Sequence, residues 1–122
     1  MHLFEIHVDV YATEDDLTRL TGEFAQVLAD LPHALSTVEA SHDDLAEQWR
    51  LSHPGSDPGT RRAYRIRVGL RTSRERMEAL REALVLVLCP EPEHDSPCPV
   101  PWASGFEDSE EELLPRYREL SR

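Results

Sequence analysis

Two segments of this chain alternate apolar and polar side chains without a break. In residues 3–11, Phe4, Ile6, Val8 and Val10 point one way and Glu5, His7, Asp9 and Tyr11 the other. In residues 63–72, Tyr64, Ile66, Val68 and Leu70 alternate with Arg65, Arg67, Gly69 and Arg71. A period of two with β-branched residues on one side is the pattern of a strand with one buried face. It leaves the chain little freedom, because a slip of one residue would turn every apolar side chain toward water.

Each strand runs into an amphipathic stretch. Thr13, three residues before Asp16, opens a segment in which Leu17, Leu20, Phe24, Val27, Leu28 and Leu31 recur at helical spacing, and Pro32 stops it. Thr72-Ser73-Arg74-Glu75 carries a capping-box pattern, with threonine as N-cap and glutamate three residues on. The helix after it buries Met77, Leu80, Leu84, Val87 and Leu88. Between these units, residues 34–41 read as a weaker strand. Residues 42–51 admit two readings, a short helix capped by Ser41 and carrying Leu45 and Trp49, which is preferred, or an extension of the strand through 48–52; residues 53–60, rich in Pro and Gly, read as a loop. A last short strand at 99–102, whose prolines confine it to a sheet edge, completes the order β-α-β-(α)-β-α-β.

That order resembles the ferredoxin-like split βαβ sandwich, an α+β architecture with an antiparallel-type sheet and two helices on one face. The expected domain covers residues 1–104. Residues 105–122 form an irregular acidic extension, a solvated tail in which the run 107–112 precedes a short helix starting at Pro115. The first and third strands become central neighbours, expected to run parallel. Their outward side chains, Glu5, His7 and Asp9 against Arg65, Arg67 and Arg71, then share a face that the helices leave open. One reading of that face is ion pairing and nothing more. The other is a face shared between two copies in a dimeric α/β-barrel, where His7 transfers protons with its pKa held up by Glu5 and Asp9.

The segment from Cys89 to Cys98 places both cysteines and His94 within ten residues. Three readings compete. Cys89, His94 and Cys98 are residue types that zinc prefers, although C-x4-H-x3-C lacks a fourth ligand and matches no standard finger. A disulfide would close a ten-residue loop. Or Cys89 is a small hydrophobe ending a buried helix, with Cys98 and His94 incidental.

Composition narrows the function classes. With 24 acidic and 13 basic residues the net charge is −11, which disfavours nucleic acid and anionic membrane surfaces. Every basic residue is arginine, so Schiff-base, pyridoxal-phosphate and P-loop lysine chemistry is excluded. The longest apolar run, residues 83–89, is far below the ~20 residues that span a bilayer, and nothing resembles a signal peptide; a cytoplasmic protein is expected. No nucleotide-binding, nucleophile-elbow, zinc-protease or calcium-loop motif is present. The expectation is a small cytosolic binding or accessory protein acting through a protein partner. Arg65 and Arg67 on the sheet face, and Trp102 with Phe106 as an aromatic patch, are its candidate contacts. The alternatives are a small homodimeric enzyme using His7, Glu5 and Asp9, and a zinc-stabilised module; no other cofactor is implied.

Overall fold

The two alternating segments become the two central strands of one sheet. In a computed structural model, which describes residues 2–41, 43–89 and 100–121, β1 (His2–Ala12) pairs along its whole length with β3 (Arg62–Thr72). The shorter β2 (His33–Glu39) and β4 (Trp102–Glu107) form the edges, in the order β2-β3-β1-β4. Every neighbouring pair is antiparallel.

The expected parallel pairing of the first and third strands is therefore wrong. The crossover through α1 (Glu14–Val27) brings β2 back in the direction of β1, one strand away. The chain then reverses through α2 (Asp43–Ser52) and inserts β3 between them, antiparallel to both. This sets the cross-strand pairs: Glu5 faces Gly69, His7 faces Arg67 and Asp9 faces Arg65.

The inner face carries the main core. Phe4, Ile6, Val8 and Val10 with Tyr64, Ile66, Val68 and Leu70 pack under Leu20, Phe24 and Leu28 on one side and Met77, Leu84 and Leu88 of α3 (Arg74–Leu88) on the other. Phe24 is wholly buried, and its truncation to alanine would cost about 3–5 kcal/mol. Thr13 forms the reciprocal capping box with Asp16, as its position implies. The α3 cap lies one residue later than the sequence pattern suggests. Ser73, not Thr72, accepts the Arg76 amide, because Thr72 still belongs to β3 and is buried.

The C-terminal part departs further from expectation. β4 begins at Trp102, after the prolines rather than across them, because a proline nitrogen has nothing to donate to a ladder. Pro101 contributes only its carbonyl, which accepts from the Tyr11 amide at 3.1 Å. β4 thus runs across the boundary expected after residue 104. Beyond it, α4 (Glu110–Leu113) comes from the acidic run, Pro115 falls in the turn after it rather than opening a helix, and a 3-10 turn spans Arg118–Ser121.

This segment packs on the outer face of the sheet. Leu113 and Tyr117 bury Leu3, with Ala34 and Leu120 at the margin. At the opposite end, α2 sets Trp49 against Tyr11, ring centroids 6.3 Å apart. His53 stacks on Trp49 at 4.6 Å and Arg61 sits over it. The outer face is covered at both ends, and the helices described include none long and apolar enough to cross a membrane.

Candidate functional site

Between these two covers lies a floor made by the middle rows of all four strands. Its side chains follow from register: Ser36 beside Arg67, Arg67 beside His7, His7 beside Gly105; then Val38 beside Arg65, Arg65 beside Asp9, Asp9 beside Ala103. Toward β2 the floor is open, with Ser36 exposed and Val38 37% exposed.

Both carboxylates on β1 are engaged. Asp9, 5% exposed, accepts from Arg65 through two parallel bonds, Nε to Oδ1 at 2.8 Å and Nη2 to Oδ2 at 3.1 Å. This fork-to-carboxylate geometry is the strong form of an arginine–acid pair. Glu5, 3% exposed, accepts from Arg116 and, at 2.6 Å, from the Tyr117 hydroxyl. The tail is tied down elsewhere too: Glu110 accepts from the Leu3 amide at 3.0 Å and from Arg71 at 3.2 Å, and Arg71 Nε donates to the Leu120 carbonyl. The Leu3 amide holds the Glu110 carboxyl below its ordinary pKa.

Two glycines make the packing work. A Cβ at Gly69 would overlap the Tyr117 ring, so the ring rests on bare β3 backbone. A Cβ at Gly105 would lie 2.7 Å from Cε1 of His7, so the imidazole leans over β4 into the space glycine leaves. Glycine inside a strand often marks such a close approach.

His7 departs from the sequence reading. Burial lowers its pKa and Arg65 lowers it further, and these outweigh Asp9, Glu5 and Glu107, which raise it. The pull of the carboxylates on the imidazolium is overcome first by burial and then by the Arg65 guanidinium. His7 therefore favours its neutral form.

Arg67 is the residue left over. Among the described residues its buried Nε has no hydrogen-bond partner, and no carboxylate oxygen lies within ion-pair distance of its guanidinium. A buried donor without an acceptor costs about 1–3 kcal/mol, and more when charged. Folded proteins rarely keep such a group without a use for it.

The structure brings together five of the residues picked from sequence, Glu5, His7, Asp9, Arg65 and Arg67, on one face. It separates them from Trp102 and Phe106, which point to the helix side. There both pack against the main core, with Arg74 and Arg81 over the Phe106 ring at 5.1 and 5.4 Å. Cys89 is buried at the end of α3 and is disulfide-bonded. His94 and Cys98 lie outside the described residues, and with them the expected zinc set; among the described residues no cluster of His, Cys, Asp or Glu is arranged for a metal ion. Sequence reasoning missed Arg116 and Tyr117, because a tail residue gives no local sign that it folds back onto the first strand. Gly69 and Gly105 interrupting strands were the available signal. No protein-family model and no curated protein matches the sequence.

Proposed function

We propose that this chain is a small non-catalytic binding or accessory protein of ferredoxin-like architecture that engages a protein partner through the floor of its outer sheet face. The observation that carries this reading is the unequal treatment of the charges there. Glu5 and Asp9 are saturated by Arg116, Tyr117 and Arg65, whereas Arg67 is held half-buried and finds no partner among the described residues. Saturated carboxylates make poor general bases, while an unsatisfied donor in the middle of a polar sheet face is a waiting contact. The strand order β2-β3-β1-β4 with α1 and α3 on one face supports the architecture.

The test is site-specific photocrosslinking in cells expressing the full chain. A photoreactive residue in place of Ser36, on the floor, is expected to trap a defined partner. The same residue in place of Ala79, exposed on α3, is expected not to. Equal trapping from both positions, or none from position 36, counts against the reading.

One observation favours a second reading, the enzyme with His7 as proton acceptor: an imidazole kept neutral by burial beside Arg67 is free to take a proton at neutral pH. Under that reading His7→Gln abolishes a reaction without affecting partner capture.

A further inference from the structure

We infer that Arg67 is a carboxylate receptor, and that the partner presents to it a single aspartate or glutamate side chain. The inference rests on the outer face being the recognition surface and names what that surface recognises.

The template is one row away. Arg65 and Arg67 project from the same side of β3, two residues apart. Arg65 faces Asp9 across the ladder and spends Nε and Nη2 on it in a two-pronged pair. Arg67 faces His7 instead, whose ring has moved away over Gly105. Among the described residues, the fork filled by Asp9 at one position thus lacks its acid at the next; because the Arg67 Nε is buried, a carboxylate supplied from outside would meet the guanidinium at its terminal nitrogens.

Charge fixes the ligand further. Glu5 and Asp9 flank the floor, and Glu107 stands across β1 on the edge strand. A singly charged, planar carboxylate matches one guanidinium. With Asp9 paired to Arg65 and Glu5 to Arg116, a phosphate, with close to two charges, would leave one charge unmatched on the single guanidinium of Arg67 and face Glu107 as well. The chain's charge of −11 excludes an acidic patch as partner for the same reason, so recognition is of one acidic residue in a largely neutral or basic segment. Entry is over β2, where exposed Val38 offers apolar contact to the neighbouring side chain of the segment.

The experiment uses the full chain labelled with 15N, following the Arg67 Nε–H resonance. The probes are the capped tripeptide acetyl-Gly-Glu-Gly-amide, its glutamine counterpart and inorganic phosphate. The glutamate peptide is expected to shift the Arg67 resonance saturably, with the glutamine peptide at least about tenfold weaker, as loss of a charge-assisted pair requires. Read at the backbone amides of Ser36 and His7, which both variants keep, Arg67→Lys should weaken binding and Arg67→Gln abolish it, with backbone amides of α1 and α3 unmoved to show that the fold persists. Equal response to the glutamine peptide, or response to phosphate alone, overturns the carboxylate assignment. Should no probe move Arg67 while Ser36 still traps a partner, the anion receptor fails and the recognition surface stands; failure of both removes the two together.

Discussion

The Tyr117 hydroxyl donates a 2.6 Å hydrogen bond to the Glu5 carboxylate, joining residues 112 positions apart in the chain. This bond ties the C-terminal segment to the first strand and closes one end of the outer face. Tyr117→Phe keeps the ring on Gly69 and removes only the donor to a buried charge, so denaturant unfolding should show a loss of about 1.5–3 kcal/mol. The same tyrosine sets an alkaline limit. Burial and the Glu5 bond raise its pKa above the ordinary 10.0, so above that pH the unfolded chain releases the phenolic proton first and stability falls. Tyr117→Phe should flatten this alkaline fall, as read from unfolding midpoints measured across pH 10.

Gly69 predicts a steric effect of the opposite kind. An added Cβ would occupy the space of the Tyr117 ring, and the ring cannot move into β3. Gly69→Ala should cost about 1–3 kcal/mol and raise hydrogen exchange at Leu113 and Tyr117, while α1 and α3 keep their protection. Unchanged exchange in the tail would mean that it is not seated there.

His7 predicts an acid limit. Its folded pKa lies below the ordinary 6.5, so as pH falls through 6.5 the unfolded chain binds the proton first and stability declines until the folded-state imidazole also titrates. An NMR titration should place His7 below the ordinary 6.5. Gly105→Ala, which pushes the ring out of its berth, should bring its pKa back toward 6.5.

Arg67 predicts a gain. Replacing it with methionine keeps the aliphatic stem packed and removes a half-buried charge that has no partner among the described residues. Arg67→Met should raise stability by about 0.5–2 kcal/mol in chemical unfolding, the signature of a residue kept for binding rather than folding. A loss of stability would indicate that the guanidinium serves the fold.

Much of the inner architecture is legible locally. The alternation through Phe4, Ile6, Val8 and Val10 fixes both a strand and its buried face, and Thr13 with Asp16 fixes where α1 begins, because each signal depends on neighbours within a few residues. The outer face is less legible. Glu5, Asp9, Arg65 and Arg67 look alike in sequence, as charged residues at outward positions. Only the antiparallel register gives Asp9 to Arg65 and leaves Arg67 opposite a histidine; a parallel pairing would have matched them differently.

By itself, then, the sequence determined which side of each central strand is apolar, where α1 starts, and that the chain's basic side chains are all arginine. The tertiary structure decided the strand directions, the return of Tyr117 and Arg116 to Glu5, and that Arg67 faces His7 with no acid beside it among the described residues. The division has a physical cause. Periodicity and capping are short-range properties carried by consecutive residues, whereas charge pairing depends on distances between segments that meet only when the chain has folded.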